Sequence, residues 1–146
     1  MGKKILLLLF IISITFPAIA QVEKIVGKWY IIDEDFVKKS IVSIYKASDG
    51  LYEGIITSIL TGDPDSLCSK CPGADKNKPF LGLVIIRKMR EEKGNLVGGT
   101  ILDPLQGKFY HSSISYDEKT ATLKVRGSLD KWGLIGRNQK WARVEE

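Results

Sequence analysis

Short runs of apolar residues, each ended by Gly, Pro, Asn or Asp, recur along the chain from residue 25 onward. The pattern is clearest at residues 98–110, where two apolar segments flank Asp103-Pro104 and Gly107. Asp-Pro begins a turn and glycine is free to take a positive φ, so this stretch predicts a β-hairpin. Because an isolated hairpin is only marginally stable in water, it requires neighbouring strands.

Further strands of similar length are predicted on both sides of this hairpin. They cover residues 25–32, 40–47, 51–59, 80–89, 112–116, 121–127 and 137–144. The spacing within 80–89 also fits a helical turn. The fold class predicted is all-β, a single antiparallel up-and-down β-barrel of about eight strands. Residues 51–59 have no cleanly polar face, which suits a barrel that is partly covered outside or not wholly dry inside.

The first twenty residues have the pattern of a secretory signal peptide. Lys3 and Lys4 precede an apolar run over residues 5–14, and the small-residue frame Ala18-Ile19-Ala20 follows. This predicts a signal peptide at residues 1–20, cleaved after Ala20, and a single barrel domain at residues 21–146. The protein is therefore expected to be exported, to the periplasm or outside the cell, with no transmembrane segment after cleavage.

The charge of the chain gives little indication of a partner. Lys and Arg number 22 against 17 Asp and Glu, and two of the lysines belong to the signal peptide. The remaining basic residues are scattered among acidic ones, as at Arg90 before Glu91 and Glu92. Nucleic-acid binding requires a one-sided basic stripe with interleaved aromatic residues, so no nucleic-acid partner is predicted.

Residues 60–79 break the strand pattern and form a long loop that contains Cys68 and Cys71. In an oxidising compartment two cysteines three residues apart are expected to form a disulfide that braces the loop. The alternative is a thiol-disulfide redox centre, in which Lys70 lowers the pKa of a thiolate. Redox enzymes place such a pair at the start of a helix, whereas Pro72 follows here, so the brace is favoured.

No other chemistry is specified by the sequence. Two thiolates and the single histidine, His111, do not make up a zinc site. The oxygen donors of the long loop, such as Asp63 and Asp75, fit no calcium-loop spacing. Because no nucleophile or phosphate-loop motif is present, no catalytic residue, metal or cofactor is predicted, and the chain is interpreted as a non-enzyme.

Aromatic and basic residues near the two chain ends form the remaining constellation. Arg137 and Trp141 share a face of the last predicted strand with Arg143, and in a barrel this strand lies next to the first, which carries Trp29. An arginine stacked on Trp29 would seal one end of the barrel. Arg126 is added as a residue that an anionic ligand would contact if its side faced the lumen. The candidate ligand-binding residues are therefore Trp29, Arg126, Arg137 and Trp141.

Several segments together resemble a bacterial family of exported proteins catalogued as domain-of-unknown-function family twenty-one forty-seven. They are Gly27-Lys28-Trp29, residues 68–73 with Asp75-Lys76, Gly82-Leu83, residues 98–104 with 107–110, residues 123–127 and residues 136–141. The resemblance covers the whole mature chain in order. It implies a lipocalin-like β-barrel in the periplasm or outside the cell, and it brings no established activity. Gly-x-Trp with a late arginine also resembles lipocalins proper.

Three functions remain open from the sequence. The first is binding of a small apolar or amphiphilic ligand in the open end of the barrel, with the loop at residues 60–79 as a lid. The second is an interaction module for another protein of the cell envelope. The third is thiol-disulfide exchange through Cys68 and Cys71. Ligand binding is the preferred hypothesis.

Overall fold

The structure, a computed structural model, describes residues 12, 14 and 21–145. Apart from Ile12 and Ile14, the predicted signal peptide lies outside the described residues. No helix among the described residues is long and apolar enough to cross a membrane.

The described chain folds into a closed antiparallel barrel, as the sequence predicts. Each strand pairs with the next, and β8 returns to β1. The strands are β1 (Gly27–Ile32), β2 (Lys38–Lys46), β3 (Tyr52–Ile59), β4 (Val84–Glu92), β5 (Asn95–Asp103), β6 (Lys108–Asp117), β7 (Thr122–Ser128) and β8 (Gly136–Arg143). The hairpin predicted at residues 98–110 is the β5–β6 pair, in which Asp103 lies opposite Lys108.

Two predicted strands begin later than the sequence pattern indicates. Residues 80–83 form a turn, with Gly82 at φ 85°, and β4 starts at Val84. Ile25 lies in a helical turn rather than in β1, since its amide bonds the carbonyl of Val22. Both segments are apolar because they are buried by packing, as the near-zero exposure of Leu83 and Ile25 shows. Hydrophobicity alone does not distinguish them from strand.

Large side chains fill one half of the barrel interior. Strand register places Trp29 opposite Val42 and Leu123 opposite Trp141, and all four residues are completely buried. Because side chains alternate between the two faces of a strand, Leu123 and Val125 point inward and Lys124 points outward. The interior is close-packed in this half of the barrel, so core side chains occupy this part of the lumen.

The segment before β1 closes this end of the barrel. Val22 and Ile25 are buried, and the indole of Trp29 donates a hydrogen bond to the Ile25 carbonyl at 2.8 Å. The guanidinium of Arg143 lies 4.2 Å from the centre of the Trp29 ring and donates hydrogen bonds to the carbonyls of Val26 and Lys24. The stacking expected between Trp29 and an arginine of the last strand is thus made by Arg143.

Candidate functional site at the open end of the barrel

The end opposite the N-terminal segment is surrounded by four connections. In an up-and-down barrel alternate connections lie at the same end. Those between β1 and β2, β3 and β4, β5 and β6, and β7 and β8 cover residues 33–37, 60–83, 104–107 and 129–135. The two longest loops of the described barrel, residues 60–83 and 129–135, therefore lie at this open end.

The barrel wall is incomplete beside the open end, between β1 and β8. Only two residue pairs join these strands, Trp29 with Arg143 and Tyr30 with Ala142. The segment of β8 from Gly136 to Lys140 continues past this contact, and every residue in it is exposed. On its other side the same segment is fully paired with β7. The result is a seam in the wall that leads from the open end toward the interior.

The inner side of β8 is polar and exposed along this seam. Gln139 lies opposite the inward-facing Val125, and its Oε1 accepts a hydrogen bond from the buried indole of Trp141 at 3.0 Å. Arg137 lies opposite Gly127, one inward position nearer the open end, and forms an exposed ion pair with Glu34 at 3.0 Å. Trp141 therefore forms a floor, above which the inward positions of β8 are hydrophilic.

Ser112 on β6 adds a polar group to the inner wall. It lies between two glycines, Gly99 on β5 and Gly127 on β7. Ser112 is 6% exposed, and its hydroxyl has no hydrogen-bond partner among the described residues. An unpaired buried hydroxyl is unfavourable by about 1–3 kcal/mol, so its presence on a lumen wall is a feature that packing does not explain.

The disulfide between Cys68 and Cys71 packs against the β5–β6 turn. The Sγ of Cys68 is 3.3 Å from the carbonyl oxygen of Pro104, and the Lys70 carbonyl lies so close to Gly107 that a side chain there would collide with it. Both cysteines are buried, at 0% and 2% exposure. A buried disulfide is inaccessible to an attacking thiolate, which favours the brace over redox chemistry.

An ion pair attaches the same loop to β4. Asp75 is 7% exposed and lies 2.8 Å from Arg87, with Lys78 at 3.2 Å. Hydrogen bonding from Arg87, and secondarily from Lys78, lowers the pKa of the Asp75 carboxyl against the opposing effect of burial.

Arg87 also lies over the ring of Phe109 at 5.1 Å. Since the neighbouring Ile86 is on the inner row with Ile101, Arg87 faces outward. The Cys68–Asp75 part of the loop is thus fixed to the outer wall, instead of covering the lumen as a lid.

Two cavities among the described residues lie on the outer wall as well. One, of ≈310 Å³, is beneath the long loop and is lined by Glu53, Asp75 and Arg87 among others. The other, of ≈230 Å³, is lined by Ser113, Ser115, Lys124 and Arg126 among others. Both are lined by a mixture of charged and apolar side chains.

The four predicted ligand residues do not come together. Trp29 is enclosed in the closed half, and Trp141 forms the floor of the open half. Arg137 stands exposed at the rim. Arg126 faces the outer wall, where it donates hydrogen bonds to the Gly133 carbonyl and to Asn138 and so holds the last loop. Ligand contact by any of them stays a prediction.

Several polar and charged groups could not be assigned to the site from the sequence, because their positions depend on which strands and loops come into contact. Gln139 shares the spacing-two face of Arg137 and Trp141, which was a usable signal for an inward position. Ser112 carries no such signal, because it is one of three serines within residues 112–115. The Asp75–Arg87 pair spans a loop and a strand whose contact the sequence does not specify.

The fold and the closed end define the class of protein. A barrel of eight antiparallel strands, closed by an N-terminal turn and an arginine stacked on the first-strand tryptophan, is lipocalin-like. Among solved structures it is similar to the protein HP1028 from the human pathogen Helicobacter pylori, which belongs to the lipocalin family. The TM-score is 0.71 at 21% sequence identity, with 82% of each chain covered. That likeness shows the fold.

Residues 27–143 match the family described as "Uncharacterized protein conserved in bacteria (DUF2147)". The chain belongs to this family, as the motifs around Trp29, Cys68 and Asp103 indicated. The search of curated proteins found no match.

Proposed function

We propose that this protein binds a small apolar or amphiphilic molecule in the open half of its barrel. The observation that carries the proposal is the change in the inner wall of β8, from the buried Trp141 to the exposed Gln139 and Arg137, at the point where β8 parts from β1. A lumen that served only as a core would close this seam with apolar side chains. Instead, a polar inner wall is accessible from outside.

The proposed ligand occupies the open half of the lumen above the buried Trp141, with its apolar part against the partly buried Ile31, Ile59 and Ile101. These three isoleucines pack on the core from β1, β3 and β5 and provide apolar surface at the level of Ser40 and Tyr110. The polar end of the ligand is directed to Arg137 at the rim, where a guanidinium binds carboxylate or phosphate in a bidentate manner. The proposed site combines apolar surface with few polar groups, a combination typical of small-molecule sites.

The test is a titration with fatty acids of increasing chain length, followed by native mass spectrometry. Gly127→Leu introduces a side chain into the inner wall beside Ile101 and Tyr110, whose atoms lie 3.5 Å from the position of the new Cβ. We expect at least tenfold weaker binding in this variant. Lys124→Leu places the same side chain on the outer face of β7 and is the matched control, with unchanged binding.

Both variants are first compared with the unmodified protein by circular dichroism, so that a loss of binding is not a loss of fold. Equal affinity of the Gly127→Leu and Lys124→Leu proteins would contradict the proposal, as would the absence of binding at every chain length.

A second function, interaction with another envelope protein, is favoured by the free edge of β8. Residues 136–140 carry backbone groups on the β1 side without a partner strand, and such an edge accepts an added strand. A photo-crosslinking residue at Asn138, compared with one at Lys124, distinguishes this function. A partner captured only at position 138 supports it, and none at either position excludes it.

A further inference from the structure

The exposed hydrophobic side chains of the protein are concentrated at one end. Among residues 21–145, every large hydrophobic residue that is exposed lies in one of the four connections at the open end. They are Phe36 and Val37, then Leu60, Leu67 and Leu81, then Leu105, and last Leu129, Trp132, Leu134 and Ile135. The connections at the closed end contribute none. Single exposed apolar residues are normal, but a cluster of this kind marks an interaction surface. We call these residues the apolar rim.

The turns that carry the apolar rim are held by specific hydrogen bonds. In three of the four connections, an aspartate carboxylate accepts hydrogen bonds from the backbone amides of rim residues themselves. The bonds run from Val37 to Asp33 (2.9 Å), from Leu105 to Asp103 (2.9 Å), and from Leu134 and Ile135 to Asp130 (3.0 and 2.7 Å). The apolar side chains are therefore held outward by ordered turns.

Phe36 is the most exposed member of the apolar rim and also has an unfavourable backbone. Its side chain is 89% exposed, and its φ is 60°, a region that bulky residues rarely adopt. Such strain persists only where the surrounding structure enforces it, and it concentrates at functional positions. Here it is not offset by burial of the ring within the protein.

The composition of the apolar rim is that of a protein anchored in a bilayer interface. Trp132 is 75% exposed, with the Lys131 ammonium 4.7 Å from its ring centre, and exposed tryptophan is enriched at the headgroup level of bilayers. The rim residues come from four separate loops at the same end of the barrel. A fluid surface accommodates such separate projections without a complementary shape.

We propose that the apolar rim docks the open end of the barrel onto the surface of a lipid bilayer. Acidic and basic residues alternate beside the rim, as at Asp33-Glu34-Asp35 with Lys38-Lys39 and at Asp130 with Lys131, so no one-sided basic patch draws it to anionic lipids. Docking rests on insertion of Phe36, Leu105, Trp132 and Leu134 into the interface. It does not depend on whether the lumen holds a ligand.

The experiment is flotation of the exported, purified protein with two kinds of vesicle. One contains phosphatidylcholine alone, and the other also contains the anionic lipid phosphatidylglycerol at about 30%. We expect binding to both, with a less than threefold change between 50 and 500 mM salt (roughly the range over which charge-driven binding is lost). The combined variant Phe36→Ser, Leu105→Ser, Trp132→Ser and Leu134→Ser is expected to bind at least tenfold more weakly.

Matched substitutions at the closed end, Asp49→Ser, Lys93→Ser, Glu118→Ser and Lys119→Ser, are expected to leave binding unchanged. The proposal is overturned if neither vesicle binds, if the rim variant binds like the control, or if binding occurs only with anionic lipid at low salt. Sedimentation without lipid gives a further check. A dimer that the rim substitutions dissociate would assign the rim to a second copy of this chain and would also overturn the proposal.

Discussion

At the scale of single residues, Ser112 and Ser128 carry buried hydroxyls that differ in their hydrogen bonding. Both residues are almost completely buried on neighbouring strands, at 6% and 3% exposure. Ser128 donates a hydrogen bond to the Asp130 carbonyl at 2.7 Å, whereas the Ser112 hydroxyl has no partner in the described chain. One serine holds a loop, and the other offers unused hydrogen-bonding capacity on the wall of the lumen.

We therefore expect Ser112→Ala and Ser128→Ala to change stability in opposite directions. Removing the unpaired hydroxyl is expected to raise the free energy of unfolding by up to about 1 kcal/mol, and removing the paired one to lower it by about 1 kcal/mol. Urea denaturation followed by tryptophan fluorescence measures both. A loss of stability in the Ser112→Ala variant comparable to that of Ser128→Ala would mean that its hydroxyl is paired in solution.

At the scale of elements, the long connection between β3 and β4 is a structured part of the outer wall. Its disulfide and its Asp75–Arg87 ion pair attach it to the β5–β6 turn and to β4. Each of these attachments is expected to contribute to stability without reaching the lumen, so both can be tested apart from ligand binding.

The contribution of Asp75 depends on pH. Because its pKa is lower in the folded protein than the unfolded value of about 3.9, the unfolded state binds the proton more tightly, so the ionised carboxyl stabilises the fold at higher pH. This stabilisation is complete above the unfolded pKa and is lost as the pH falls through the folded value. Asp75→Asn is expected to lower the free energy of unfolding by about 1–3 kcal/mol at pH 7, because Arg87 loses its partner.

The difference between the Asp75→Asn variant and the unmodified protein should narrow steadily below pH 4 (about the unfolded pKa). The exposed Asp65 of the same loop is the control, and its change to Asn is expected to stay within about 0.5 kcal/mol at all pH values. A difference for Asp75→Asn that is independent of pH would assign its effect to packing instead of charge.

The disulfide is expected to act on stability alone. It closes a loop with a sequence separation of 3, for which chain entropy gives about 2 kcal/mol. The variant Cys68→Ala, Cys71→Ala should lose about that amount and bind fatty acids as before. A loss of binding without a loss of stability would mean that the long loop contributes to the ligand site. Reduction of the native disulfide by dithiothreitol at low concentration would restore the redox hypothesis.

Turn chemistry and strand alternation were enough to predict the barrel from the sequence. Asp103-Pro104 and Gly107 predicted the β5–β6 hairpin, and the expected barrel predicted that the first and last strands meet, with a late arginine stacked on Trp29. The candidate site was harder to predict from the sequence, because it depends on which face of each strand points inward. Arg126 lies between two inward-facing residues, Val125 and Gly127, and this became clear only from the burial of its neighbours.

At the scale of the whole molecule, the barrel has two unlike ends. The N-terminal turn and the Arg143–Trp29 stack seal one end over a close-packed core. The other end has the longer loops, the apolar rim and a seam between β1 and β8. This asymmetry is the basis of both proposals, since a ligand and a bilayer would meet the same end of the molecule.

Binding of a small molecule in the open half is the central claim, and native mass spectrometry of the purified protein tests it most directly. The sample is measured intact and after denaturation, together with the Gly127→Leu variant. An excess mass that disappears on denaturation, and that is missing from Gly127→Leu, is the expected result. Equal native and denatured masses, before and after incubation with a mixture of fatty acids, would contradict the claim.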